Sequence, residues 1–413
     1  MAVGHLPQGW RLGLLLASGL FLALALAAAG AADQGIDWNR ARELLQRSNR
    51  GETLSPEDRA YLDMARQARQ AQAAVVMQAT PEQERTGLVS LTEMGEGKYK
   101  EEDGGLYGGG SNVPPAAHRE AALKEAARTR PLDAEGRPSP DGKIVLISVG
   151  MSNTSQEFGP FKRLADADPA KSPHVVIVNG AQGGKDAGSW ANALTRPAPA
   201  GQQPSPWDVL DERLKAAGVT GPQVQAAWIK QACAGPARFG QFPDHARVLQ
   251  RDMAIILNEL KRRYPSLRIA FLSSRIYAGY ATTPLNPEPY AYEGAFAVRW
   301  LIQDQIKGVP ELNYMPERGE VKAPLVLWGP YLWGDGLTAR KADGLVWKRE
   351  DLGGDGTHPS RSGQQKVADL LLEFFKTDPA ARGWFVAPPA AGQGAQGPAP
   401  GSADHPLPPY IGG

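Results

Sequence analysis

Five short apolar runs punctuate the middle of the chain, at residues 143–149, 174–178, 224–229, 267–273 and 324–328. In each, apolar residues fill consecutive positions rather than alternate ones. A strand covered on both faces reads that way, because neither side of its pleat meets water. Between the runs the spacing changes. Residues 158–166, 207–217, 245–264 and 292–307 carry apolar residues at helical intervals, as does 363–375 beyond the last run. The third of these stretches is strongly amphipathic and is stopped by Pro265. Strands alternating with helices predict a parallel sheet with helices on both faces: an α/β fold of three layers, α/β/α, with five strands, over residues 143–385. Ligands of such sheets bind beyond the carboxyl ends of the strands.

The flanks read differently. Residues 1–32 place Arg11 before a Leu- and Ala-rich run at 12–29 and end in small residues, the pattern of a secretory signal peptide with an Ala-x-Ala type cleavage site. That predicts a secreted or periplasmic protein with no membrane contact after cleavage; the alternative is an uncleaved anchor. Residues 33–78 predict a helical hairpin. Trp38, Ala41, Leu44 and Leu45 share one helical face, Asn49-Arg50-Gly51 interrupts it, and Ser55 caps a second helix with Pro56 first and Asp58 three residues after the cap. Residues 79–142 form a Gly- and Pro-rich connecting segment with a short helix at 116–127 that could wrap the main domain. Its glycine run at 104–110 lacks the Gly-Lys-Ser/Thr ending of a phosphate loop. Tyr107 and His118 are candidate ligand contacts within it, or packing residues. Residues 386–413 are rich in Pro, Ala and Gly and predict a disordered tail.

Composition narrows the function classes. Hydrophobic residues are 42% of the 413, enough for a substantial core, while 47 glycines and 35 prolines imply long loops. The predicted signal holds one of the 45 basic residues and no acidic one, so the remainder balances at 44 of each. Such a chain has no electrostatic grip on nucleic acid or on an anionic membrane. Cys233 is the single cysteine. It excludes an internal disulfide, and it reads as a packed thiol before it reads as a nucleophile.

Chemistry-bearing residues gather just past the strands. After the first come Gly150, Met151, Ser152, Asn153 and Thr154, where the glycine allows a sharp turn and Ser152 projects at the sheet edge. After the second comes Asn179-Gly180-Ala181-Gln182-Gly183-Gly184, whose tandem glycines let backbone N–H groups approach a substrate oxygen. Lys230 and Gln231, both side-chain donors, follow the third. Beyond the fifth, a long loop ends in Gly354-Asp355-Gly356-Thr357-His358-Pro359-Ser360. An imidazole there can take a proton while the carboxylate three residues earlier fixes its tautomer, and Ser152 supplies the hydroxyl such a pair would activate. Lys185 does not make a phosphate loop with Gly184, since Asp186 follows. No metal-ligand spacing is present, and the chemistry calls for no cofactor.

These residues resemble the SGNH (GDSL-like) hydrolase superfamily over about residues 143–378. The likeness rests on Gly150-Met151-Ser152-Asn153 and Asp355-Gly356-Thr357-His358-Pro359, and the Gly-x-Ser-Asn form is nearer the carbohydrate acetylesterase branch. The resemblance implies a flavodoxin-like sheet, Ser152 as nucleophile, His358 as base and Asp355 as its orienting group. It further implies oxyanion donors at the N–H groups of Gly184 and Ser152. The third block departs: Trp228-Ile229-Lys230-Gln231 stands where the family has an Asn donor, so Gln231 or Lys230 would have to serve.

For substrate, Asn153, Arg275 and Trp333 are candidate contacts. Trp328, Tyr331 and Trp347, with Tyr277, Tyr280, Tyr290 and Tyr292, could stack on sugar rings from the loops or simply pack them down. The expectation is an exported serine esterase that removes an acyl group, acetyl in the family reading, from a glycan or small-molecule ester. The alternative is a carbohydrate-binding protein that keeps the scaffold without turnover.

Overall fold

The computed structural model describes residues 52–76, 81–193 and 204–388, with a few positions between 36 and 47. The predicted signal peptide and nearly all of the predicted tail lie outside the described residues. Met1–Thr80 and Pro81–Gly413 form two compact units.

In the first unit, helix α1 spans Pro56–Val76. Ser55 Oγ accepts the Asp58 N–H at 3.1 Å, satisfying one of the free donors of the first turn. Arg40, Ala41, Glu43, Leu44 and Arg47 are helical; the rest of the predicted first hairpin helix lies outside the described residues. Leu44, Leu54 and Leu62 bury one another beside a half-buried Tyr61. The Arg40 guanidinium stacks 4.3 Å above that ring.

In the second unit two single-turn helices, Pro81–Glu84 and Leu91–Met94, precede a two-stranded hairpin, β1 (Lys98–Tyr99) and β2 (Glu102–Asp103), and helix α2 (Ala116–Arg128). The main sequence is then β3 (Ile144–Gly150), α3 (Ser152–Ala167), β4 (Val175–Val178), α4 (Ala187–Asn192), α5 (Pro206–Ala216) and β5 (Val224–Lys230). It continues with α6 (Asp244–Arg263), β6 (Ile269–Ser273), α7 (Tyr290–Lys307), β7 (Leu325–Trp328), α8 (Arg361–Thr377) and α9 (Arg382–Phe385).

The sheet has the order β4-β3-β5-β6-β7, and every pairing is parallel. This is the flavodoxin-like order, in which the chain reverses direction across the sheet between β3 and β5. Nearly every residue of the five strands is buried, as their unbroken apolar runs require. On one face α3 packs on α8, with Phe161 stacked on Phe375 and Phe158 stacked on Trp228 of β5. On the other, α6 packs on α7 and on α4. Each fully buried ring or branched aliphatic in these layers contributes about 1.5–3 kcal/mol.

Two departures from the sequence reading, and one expectation that the structure makes specific, have physical causes. Helix α3 begins at Ser152, six residues before the predicted start, because tertiary anchoring overrides the weak helix propensity of Ser-Asn-Thr-Ser. The segment 81–142, read from the sequence as a connecting segment that could wrap the main domain, is a packed strap whose anchors lie far along the chain. Asp335 accepts the N–H of Thr86 at 2.6 Å, the Thr86 hydroxyl at 2.7 Å and the Gly87 N–H at 2.9 Å. The buried Arg299 guanidinium grips the Glu102 carboxylate and the Asp103 carbonyl, and the Tyr99 hydroxyl donates to Glu293 at 2.6 Å. Tyr107 and His118 are buried packing residues of this strap: His118 Nε2 lies 2.8 Å from the Val326 carbonyl oxygen, and the Tyr107 hydroxyl accepts the Trp328 N–H at 3.4 Å. Finally, the first residues of the predicted tail are tied down, with the Ala387 N–H donating to the Ala170 carbonyl at 2.8 Å.

Candidate active site

Strand β3 ends in a turn that only glycine can make. A Cβ on Gly150 would lie 2.4 Å from both the Lys230 carbonyl oxygen and Thr154 Oγ1. The Thr154 hydroxyl donates to that same carbonyl at 2.7 Å, and the Gln182 N–H donates to the Gly150 carbonyl at 3.0 Å, so the ends of β3, β4 and β5 are stitched together. Ser152 opens α3 directly beyond the turn and is half-buried. The positive end of the helix dipole therefore lies beside its hydroxyl.

The second half of the site is the turn around Asp355 and His358. Gly356 has φ +62°, and a Cβ there would come within 1.8 Å of the Tyr280 carbonyl oxygen. Asp355 is wrapped by the turn: Oδ1 accepts the N–H groups of Thr357 and His358, each at 3.0 Å, and Oδ2 lies 2.5 Å from His358 Nδ1. Burial alone would raise this carboxyl, but the bonds from His358 and Thr357 outweigh it and hold it at about 2, below its ordinary 3.8. His358 Nε2 lies 2.7 Å from Ser152 Oγ. The imidazole thus joins hydroxyl to carboxylate across the sheet edge, from residues 206 positions apart.

Two donors fix the height of this turn. Asn153 Nδ2 donates to the Thr357 carbonyl at 2.9 Å, and Arg275 Nη2 donates to it at 3.1 Å. Beneath them Lys230 and Glu157 form a fully buried ion pair, with Nζ 2.5 Å from Oε1. Burial drives the Lys230 ammonium down to about 8 against the pull of Glu157, and burial pushes the Glu157 carboxyl up.

The candidate residues therefore divide. Ser152, His358 and Asp355 meet in one hydrogen-bonded line. Gly184 lies exposed in the turn after β4 with φ +72° and nothing within 4 Å of where a side chain would start. Gln231 follows β5 with its amide buried and without a hydrogen-bond partner among the described residues. Lys230 is not available as an oxyanion donor, since its ammonium is committed to Glu157 beneath the sheet edge. Asn153 and Arg275 are both buried, and Asn153 Nδ2 and Arg275 Nη2 are spent on the Thr357 carbonyl. Trp333 is also buried, and its Nε1–H donates to Glu288 at 2.8 Å. The sugar-stacking role of the loop aromatics fails for the same reason: Trp328, Tyr331, Trp347, Tyr277, Tyr280 and Tyr292 are all buried against the domain. Tyr290, half-buried, meets the His245 ring edge-on at 4.8 Å between centroids. Cys233 is buried, and burial pushes its thiol up to about 12.

Glu157 was not singled out from the sequence. A signal was present, because a lone carboxylate sits between Ser152 and the apolar face of the helix, one residue before Phe158. Asp186 was likewise passed over. It caps α4 by accepting the Ser189 N–H at 3.0 Å and reaches across to accept the Ala234 N–H at 3.0 Å, joining the loops after β4 and β5.

No protein-family model and no curated protein matches this chain. Two solved structures are similar to parts of it. One is an extracellular lipase from Streptomyces rimosus, 11% identical, with 56% of this chain and 100% of the lipase aligned at a TM-score of 0.28. The other is a gut microbial diltiazem-metabolizing enzyme, 13% identical, with 61% of this chain aligned at a TM-score of 0.31. This chain spans 49% of that enzyme's length.

Proposed function

We propose that the chain is an exported serine esterase that removes a short acyl group, acetyl in this reading, from a carbohydrate or related ester. The observation that carries the proposal is the Ser152–His358–Asp355 line, with contacts of 2.7 and 2.5 Å. In the mechanism, Ser152 Oγ attacks the ester carbonyl as its proton passes to His358 Nε2. The tetrahedral oxyanion is held by the N–H groups of Ser152 and Gly184, with Gln231 Nε2 as the side-chain donor. Collapse breaks the ester bond, and the alcohol leaves with the proton from His358. Water then attacks the acyl-enzyme, gives its proton to His358, and the acid departs as Ser152 is reprotonated. Asp355, ionised throughout, holds the ring and stabilises the imidazolium.

The carbohydrate side of the reading is supported by the likeness of Gly150-Met151-Ser152-Asn153 to the acetylesterase branch and by the polar residues at the ends of β5 and β6. A second reading, a glycan-binding protein without turnover, is favoured by one observation: the third block has lost Lys230 to Glu157, leaving Gln231 as its side-chain donor. One experiment separates the two. The protein and Ser152→Ala are offered p-nitrophenyl acetate and acetylated xylan. Acetate release that vanishes in the variant supports the esterase; glycan binding without release in either protein supports the binding module.

A further inference from the structure

Eight buried side-chain polar atoms lack a hydrogen-bond partner among the described residues, and five of them lie on the two loops that leave β5 and β6. They are Gln231 Nε2 and Oε1, Ser274 Oγ, Arg275 Nε and Asn286 Oδ1. All four residues are at least nine-tenths buried: Gln231 is 2% exposed, Ser274 1%, Arg275 2% and Asn286 6%. Lys230 stands opposite Ser273 in the parallel register, so Gln231 and Ser274 leave the sheet as neighbours. Asn286 Nδ2 donates to the Cys233 carbonyl at 3.2 Å, which brings its side chain to the chain just past Gln231. Arg275 Nη2 holds the carbonyl of Thr357, the residue before His358. Gly150, two residues before Ser152, pairs with Lys230. The residues that carry the unpartnered atoms thus stand beside the strand end that leads to Ser152 and the turn that carries His358.

Buried donors and acceptors are rarely left unpaired, because desolvating them is unfavourable, so their concentration here marks a place that a polar group completes. Their chemistry restricts that group. Gln231 Nε2, through the second hydrogen left when its first serves the oxyanion, and Arg275 Nε can only donate, Gln231 Oε1 and Asn286 Oδ1 can only accept, and Ser274 Oγ can do either. A hydrocarbon satisfies none of them, and an anion leaves the acceptors unmatched. Nor is positive charge to spare: the Arg275 guanidinium faces Glu157, Glu288 and Asp355, and Lys230 is paired with Glu157. A neutral group that both gives and takes hydrogen bonds fits.

We infer that Gln231, Ser274, Arg275 and Asn286 form a subsite that reads a hydroxyl next to the scissile ester. The inference rests on the serine-esterase reading and extends it to substrate choice. The hydroxyl can belong to the acyl group or to the alcohol, and two isosteric pairs distinguish these sources. On the acyl side, p-nitrophenyl glycolate is compared with p-nitrophenyl propionate, each corrected for its hydroxide-catalysed rate. On the alcohol side, 2-hydroxyethyl acetate is compared with propyl acetate.

The native protein should prefer the hydroxylated member of one pair by about tenfold in kcat/KM, the worth of one or two neutral hydrogen bonds. Ser274→Ala and Gln231→Met should each pull that ratio toward one. Taking the ratio within each variant cancels any change in overall rate or in the folded fraction. Equal rates for both pairs, or a preference untouched by both substitutions, would overturn the subsite and leave these atoms as sites for ordered water only. Should no ester be cleaved, the serine reading fails separately, and the subsite is then read by binding. NMR titration of Ser152→Ala with the same hydroxylated and alkyl acetates, and with methyl glycolate against methyl propionate, should show the same preference; its absence there would count equally against the inference.

Discussion

Asp355 holds His358 at two points: one carboxylate oxygen lies 2.5 Å from the ring Nδ1, and the other accepts the backbone N–H of the same residue at 3.0 Å. The ring cannot swing without breaking the first contact, and the turn cannot relax without breaking the second. Asp355→Asn keeps an acceptor for the backbone but presents an amide that favours the wrong imidazole tautomer. Activity on p-nitrophenyl acetate should fall by about 10³–10⁴-fold, with near-native circular dichroism. A loss of less than tenfold would mean that the ring is oriented by something else.

The same carboxylate sets a pH dependence of stability. Its folded value, about 2, lies below its ordinary 3.8. The folded state therefore binds the proton less readily than the unfolded chain. The stabilisation is complete above the unfolded value and is lost as pH falls through the folded one, that is, between about pH 4 and pH 2. Solvent reaches about a third of the side chain, so the contribution is discounted to about 1–2 kcal/mol. Urea unfolding at pH 5, 4, 3 and 2 should show that increment in the native protein and its absence in Asp355→Asn.

Asn153 Nδ2 and Arg275 Nη2 both hold the Thr357 carbonyl, and through it the turn that carries His358. Removing either donor loosens the turn that carries His358 while leaving the other in place. Asn153→Ala and Arg275→Met should each lower kcat by about 10–100-fold with little change in KM, because positioning matters at the reacting atoms. The double variant should lose less than the product of the two, since both bonds end on one oxygen. A change confined to KM would instead mean that the bonds to the Thr357 carbonyl do not set the position of His358.

Beneath them, the Lys230–Glu157 pair makes an asymmetric prediction. Lys230→Met or Glu157→Gln alone strands a buried charge and should cost about 3–5 kcal/mol in denaturant unfolding. Changing both together to Met and Leu removes both charges and should restore most of that loss. Equal destabilisation in the single and double variants would show that the pair is not buried in the way its geometry implies.

How much of this could be read from the sequence differs by feature. The five strands were legible because strands buried on both faces need consecutive apolar residues, and the observed bounds differ from the expected ones by at most two positions. The Asp355–His358 turn was legible because its partners are three residues apart. The first turn of α3 was not, since Ser152 to Ser155 are poor helix formers held in place by contacts from other strands. Nor were the anchors of the strap: Glu102 finds Arg299 across nearly 200 residues, and Asp335 finds Thr86 across 249. Sequence position placed Lys230, Arg275 and Trp333 past strand ends. It could not say that the Glu157 and Glu288 carboxylates and the Thr357 backbone carbonyl would turn inward to meet them.

Cys233 offers a last check on which group attacks. Its side chain is 4% exposed, and burial, aided by Asp252 and Asp186, pushes the thiol up to about 12. At pH 8 almost none of it is thiolate, the form that alkylates and the form that could attack an ester. Iodoacetamide should therefore leave the native protein unlabelled over hours and modify it within minutes in guanidinium chloride. Cys233→Ala should retain ester hydrolysis within about twofold, because the contact this residue makes to Asn286 runs through its backbone carbonyl and survives the substitution. Rapid labelling of the native protein, together with hydrolysis that persists in Ser152→Ala and disappears in Cys233→Ala, would transfer the nucleophile's role from the hydroxyl to the thiol.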